Sequence, residues 1–136
     1  LVVEVTLTDN SRQEAAEGEP VRRHVANIVA DTTSHYGKPI FGLFIANKID
    51  SNTAETFRIG VWYKGDDTKM ALDIVPLTLD QFRIIFISMF KNNIVNPNYI
   101  FELLTECNSL RNNYEAPDWK KSINEIINSK CEQLLS

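Results

Sequence analysis

Pro39-Ile-Phe-Gly-Leu-Phe-Ile-Ala46 is an unbroken apolar run of strand length, followed by the polar turn Asn47–Ser51. A strand that is apolar on both faces needs cover on both, which is the pattern of a buried parallel or central strand. Upstream, Leu1-Val-Val-Glu-Val-Thr-Leu7 is β-branched and alternating, with Leu1, Val3, Val5 and Leu7 on one face and Val2, Glu4 and Thr6 on the other. A helix connects the two. Pro20 suits its first position, Val21, Val25, Ile28 and Val29 give it an apolar stripe, and Gly37 with Pro39 stops it after about His35. Ahead of that helix, Thr8–Ser11 reads as a turn, Ser11 and Glu14 form a capping box, and Gly18-Glu19-Pro20 interrupts the short helical turn that the box starts.

Downstream of the central run, Ser51 or Asn52 caps a helix through Thr53–Tyr63, and Lys64–Asp67 is a loop. Met70–Val75 reads as a strand halted by Pro76. Thr78 caps a strongly apolar helix, Leu79 to about Asn92, and two more helices follow, roughly Pro97–Asn113 and Pro117–Leu135. The order β-α-β-α-β followed by helices is α/β with a helical C-terminal extension.

Composition bounds what such a chain does. Its 136 residues make one domain of ordinary size, and 43% apolar with 24% charged residues describes a folded chain. A net charge of −4 argues against holding nucleic acid by bulk electrostatics, so any such contact needs a local basic strip or a basic partner. Cys107 and Cys131 lack CxxC spacing, which points to reduced thiols and a cytoplasmic compartment. There is no leader-like N-terminus, and the most apolar run, Phe82–Phe90, is broken by Arg83 and far short of a membrane span. The chain opens at Leu1 inside a strand, as the C-terminal piece of a longer protein would. P-loop, GxGxxG and GxSxG motifs are all missing, and two His with two Cys over more than a hundred positions make no zinc site.

Glu4 is the residue that stands out. A carboxylate inside an apolar strand is costly to bury unless it is paired or binds a cation, although on this pattern alone a solvent-facing Glu on an edge strand is the preferred reading. Strand alternation puts Glu4 and Thr6 on the same side. Glu17 and His24 are seven positions apart, close to two helical turns, and share a face with Val21 and Ile28 if the helix tolerates Gly18–Pro20. That face should pack on the sheet and turn Glu17 and His24 toward Glu4. Two carboxylates with an imidazole can ligate Mg²⁺ and activate water for attack on a phosphodiester, and Arg22 and Arg23 can contact phosphate. Taken singly, His24 is better read as a satisfied core histidine and the Arg pair as a solvated helix face.

The residues Val3-Glu4-Val5-Thr6-Leu7, Arg12-Gln13 and Glu17-Gly18-Glu19-Pro20-Val21-Arg22-Arg23-His24-Val25 resemble the catalytic segment of the AlwI-type (type IIS) restriction endonucleases. Phe41–Ala46, Asn52-Thr53-Ala54, Phe57 and Ile74–Thr78 extend the likeness to about Phe90. The resemblance implies a restriction-endonuclease-like core of the PD-(D/E)xK superfamily, a central mixed sheet flanked by helices. Residues 1–92 would be the nuclease core portion and residues 93–136 a helical extension, together the C-terminal part of a DNA-cleavage domain.

It further implies Mg²⁺-dependent hydrolysis of double-stranded DNA, with sequence recognition by an N-terminal domain outside this chain. Cutting both strands would then need a second copy or a partner subunit. By analogy Glu4 and Glu17 are the metal ligands and His24 contacts phosphate or water. Thr6 stands where the superfamily usually has lysine, and the superfamily's preceding Asp would fall before Leu1. Arg12, Gln13, Arg22 and Arg23 become DNA contacts, with Lys48, Arg58, Lys64 and Lys69 as further backbone contacts. The rival expectation is a non-catalytic docking or dimerisation module. Its surface would be the apolar faces of the C-terminal helices, carrying Phe101, Leu103, Leu104, Leu110, Ile123, Ile126 and Ile127.

Overall fold

The structure, a computed structural model, describes residues 1–8, 12–31 and 39–135. Its strands are β1 (Val2–Thr6), β2 (Gly42–Ala46), β3 (Val61–Tyr63), β4 (Lys69–Ala71) and β5 (Ile74–Thr78). Its α-helices are α1 (Glu19–Ala30), α2 (Ser51–Ile59), α3 (Leu79–Lys91), α4 (Asn98–Ser109) and α5 (Ala116–Leu135). A π-helical turn, Glu14–Gly18, leads into α1, and a 3₁₀ turn, Arg111–Asn113, follows α4.

β2 is buried at every position and lies between β1 and β5, both parallel to it. The register aligns Glu4 with Phe44 and Pro76, and Thr6 with Ala46 and Thr78. The central apolar run is therefore the middle strand of a parallel three-stranded sheet. The antiparallel component of the fold is a separate ladder, formed by β3 with β4.

α1 packs on the sheet through Val21 and Val25, both fully buried. Gly42 permits this: a Cβ there would lie 2.8 Å from Val25 Cγ2 and 2.9 Å from Ile74 Cγ1. Phe57 of α2 stacks at a tilt on Phe44, with ring centroids 5.1 Å apart, so α2 covers the same face of the sheet. Gly42 and Phe44 lie on one face of β2, so both connecting helices share that face, as an unreversed parallel strand order with crossovers of the usual right-handed sense requires.

Several boundaries differ from the sequence reading. The Gly18–Pro20 interruption does not break the helix: the π-turn widens the backbone just ahead of Pro20, and the helix runs on into α1. Ile28 is exposed, because the buried stripe follows Val21, Val25 and the half-buried Val29 at four-residue steps. Ser11 and the helix end expected at Gly37 lie outside the described residues. α2 stops at Ile59 instead of Tyr63, where Gly60 takes the left-handed conformation at φ 59° and its N–H returns to Thr56 O. Its cap is Asp50, whose carboxylate accepts from Asn52 N and Thr53 N. Met70–Val75 divides into two strands, and Pro76 sits inside the second. β5 is an edge strand among the described residues, so a residue without an N–H is tolerated there. Thr78 caps α3 as expected, in a reciprocal box with Gln81.

The C-terminal helices belong to the same core as the sheet. Leu103, Leu104, Trp119, Ile123 and Ile127 are buried, so the apolar faces proposed for docking are already covered from within the chain. Trp119 Nε1 donates to Cys107 O at 2.9 Å and fastens α5 to α4. Cys107 and Cys131 are both free and buried. The opposite holds for β1, whose outward row Leu1, Val3, Val5 and Leu7 is exposed. No helix among the described residues is long and apolar enough to cross a membrane.

Gly42→Ala is expected to destabilise the chain by about 1–3 kcal/mol, the usual cost of overpacking, as read by urea unfolding. Burial pushes the Cys107 thiol from 9.0 up to about 12. The core accepts only the neutral form, so this group's contribution to stability is whole below about pH 9 and lost as pH climbs toward about 12. Alkaline loss of the unfolding midpoint should be shallower in Cys107→Ala than in the native chain.

Candidate active site

Glu4 lies at the middle of β1 on the side that faces α1, and His24 lies one turn into α1 beyond Val21. The close approach at Gly42 brings them together, and His24 Nδ1 donates to Glu4 Oε1 at 2.6 Å. Both side chains keep part of their surface open, 46% for His24 and 34% for Glu4, so the pair is accessible to a ligand. A carboxylate on Nδ1 fixes the imidazole tautomer and leaves Nε2 as the nitrogen with an available lone pair. Glu4 Oε2 carries no hydrogen bond within the described residues. The pair therefore offers one acidic oxygen and one basic nitrogen side by side on a sheet edge.

Glu17 stands apart from that pair. It sits in the π-turn, is half-buried, and makes no hydrogen bond or ion pair within the described residues. Among those residues no three of His, Cys, Asp and Glu converge as a metal site would require, so Glu17 does not complete a triad with Glu4 and His24 here. The acid of this turn that finds partners is Glu14, which accepts from Thr56 Oγ1 at 3.3 Å and pairs with Arg22 at 3.9 Å. Thr6 is buried, and its hydroxyl accepts from Thr8 N at 3.1 Å, closing the turn that leaves β1.

The four residues assigned to DNA separate. Gln13 is fully buried, which removes it from any DNA contact. Its amide Nε2 donates to Thr8 O and, at 2.8 Å, to Lys48 O, while Oε1 accepts from Asp50 N at 2.9 Å. One side chain thus ties the exit of β1 to the exit of β2 and to the cap of α2. Nothing in the local sequence marks it, because a Gln between polar turn residues looks like surface. Arg22 is half-buried, with its guanidinium carbon 5.8 Å from the centre of the Trp62 ring and Nε donating to Gly18 O. Arg23 is exposed and, among the described residues, held by the surface pair with Glu19 at 3.1 Å, a weak tie that a phosphate can replace. Arg12 is exposed as well. Of the more distant cations, Arg58 pairs with Glu55, which raises the guanidinium pKa and lowers the carboxyl's through their hydrogen bond.

A small parallel sheet with two crossover helices on one face and an acid–imidazole pair bridging its edge strand to the first of them describes a restriction-endonuclease-like α/β domain. The chain belongs to the AlwI restriction endonuclease family, whose sequence pattern matches residues 1–85. Among solved structures it is similar to the small subunit of the heterodimeric restriction endonuclease R.BspD6I, at 25% identity and a TM-score of 0.64. That match covers 91% of this chain and 59% of the subunit, so the chain spans less than two thirds of its relative's length. No curated protein matches the sequence.

Removing the Gln13 amide takes the side-chain partner from two carbonyls, Thr8 O and Lys48 O, and from the Asp50 N–H. Gln13→Ala should cost about 2–3 kcal/mol of unfolding free energy. Gln13→Glu should be no better, since a carboxylate cannot donate to Thr8 O and Lys48 O.

Proposed function

We propose that this chain is part of the cleavage domain of a Mg²⁺-dependent, type IIS-like DNA endonuclease that hydrolyses phosphodiester bonds. Sequence recognition would be supplied by a domain outside it and second-strand cleavage by a partner subunit or second copy. The observation that carries the reading is the Glu4–His24 pair, lying within the family match and half open to solvent. The partner subunit rests on the similarity to one half of a heterodimeric enzyme.

Mg²⁺ commonly takes one or two carboxylates and fills its remaining positions with water and substrate phosphate oxygens. Glu4, with an oxygen left over from its bond to His24, fits as one such ligand, and the donor set among the described residues is otherwise incomplete. When bound, the ion would supply Lewis acidity at the phosphate and a water of lowered pKa. In this reading His24 Nε2 holds a proton on, or takes one from, the attacking water or a phosphate oxygen, and the Glu4 bond keeps the ring oriented for it. Glu17, on the turn that leads into the same helix, is a candidate second acid. Arg23 and Arg12 would meet the DNA backbone, where contacts set position rather than sequence.

In the full-length protein, Glu4→Gln should lose plasmid cleavage in Mg²⁺ by at least about a hundredfold while keeping its fold, as losing a catalytic ligand or acid–base group does. Native cleavage by Glu4→Gln would end the assignment. Calorimetry with Mn²⁺ should show binding in the native protein that is weakened in the same variant.

A further inference from the structure

A cleft of about 700 Å³ opens beyond the carboxyl ends of β2 and β5, walled on its far side by the first half of α5. Lys48, Lys120 and Lys121 line it, against the single carboxylate of Glu125. In a chain of net charge −4 that is a local inversion of sign. Lys120 is fixed, its Nζ donating to Ile49 O at 2.9 Å, whereas Lys48 and Lys121 are exposed and make no ion pair within the described residues. The floor is rigid. Thr78 and Gln81 lock the start of α3 in a reciprocal cap, and Gln81 Nε2 reaches across to Asn124 Oδ1 at 3.0 Å.

Open parallel α/β sheets characteristically bind ligands in the crevice beyond the carboxyl ends of their strands. The cleft's Pro76 and Thr78 stand in the same cross-strand rows as Glu4 and Thr6, two strand spacings away, or about 10 Å. Gln13 holds the Lys48 backbone to the chain leaving β1, so the two places share one rigid surface. Duplex DNA carries one phosphate charge per roughly 1.7 Å of axis, so a duplex seated at Glu4 and His24 has further phosphates at this distance.

We propose that the cleft is a second anchoring site for the DNA backbone, in which Lys48 and Lys121 contact phosphates away from the scissile bond and Lys120 braces the wall. The proposal rests on the nuclease reading, and the test separates the two. Anisotropy titration of a labelled duplex of arbitrary sequence, without divalent metal and over a salt series, compares the full-length native protein with three variants. These are Lys48→Glu/Lys121→Glu, its neutral counterpart Lys48→Ala/Lys121→Ala, and Lys91→Glu at the far end of α3. The charge-reversed pair should bind at least tenfold more weakly, and its logarithmic salt slope should fall by about 0.9 for each phosphate that is no longer neutralised. The alanine pair should show the same slope change with a smaller drop in affinity, and Lys91→Glu should stay close to native. If both double variants match the native affinity and slope, the cleft assignment is wrong while the nuclease reading stands. If the native protein binds no duplex at all, both are wrong.

Discussion

Helix α1 lies close on the sheet because residue 42 has no side chain, and the placement of the site follows from that contact. A Cβ at this position would meet Val25 on the helix and Ile74 on the next strand, so it would have to lift the helix or spread β2 from β5. Either movement would be felt at the neighbouring position on α1, where a 2.6 Å bond joins His24 to Glu4. The pair is thus held by packing between Val21, Val25 and the sheet rather than by its own strength, and a half-exposed polar pair alone would hold little. The apolar contact supplies the energy and the polar pair inherits the geometry.

Gln13 plays the corresponding part at the strand ends. Parallel strands finish at one edge, and each exit leaves backbone groups without ladder partners. A buried amide has two donors and an acceptor with two lone pairs, so it can serve several such groups from one position. Here it serves the exits of β1 and β2 and, through Asp50, the start of α2. That convergence makes the edge carrying Thr6, Lys48 and Asp50 a single surface.

What could be read from the sequence follows the reach of each signal. Strand alternation and helical periodicity are local and strong, so the buried run at residues 42–46, the side of β1 that bears Glu4 and the meeting of that side with His24 are all legible. The Glu17 position depends on how the chain passes Pro20, and a π-turn leaves no periodic trace. Pro76 depends on whether its strand is central or at an edge, a property of the sheet rather than of the segment. Gln13 is a long-range fact, since its partners lie 35 and 37 positions away. Gly60 is a readable stop that helical pattern alone passes over, because Val61-Trp-Tyr63 continues the apolar character while changing its conformation. Thr6 is legible as a strand residue on the side of Glu4, but its burial beneath its own turn is not; if the chain binds phosphate as proposed, other groups would have to meet the charge.

Those other groups bear on the charge balance. A net-acidic surface repels a polyanion except where cations cluster, so it restricts where DNA can come to rest. Most arginines here are bound to carboxylates or carbonyls of the chain: Arg22 on Glu14 and Gly18, Arg58 on Glu55, Arg83 on Asp80, Arg111 on Asp73 and Leu72. Ammonium groups beside one end of the sheet that form no ion pair among the described residues therefore count for more than their number, because Glu125 is the single carboxylate in their cleft. A nuclease needs its substrate held in one orientation, and weak attraction confined to a few rigid positions achieves that better than strong attraction spread over the whole surface. The same acidity limits binding of any polyanion away from those positions, which under the proposed nuclease reading would contribute to specificity.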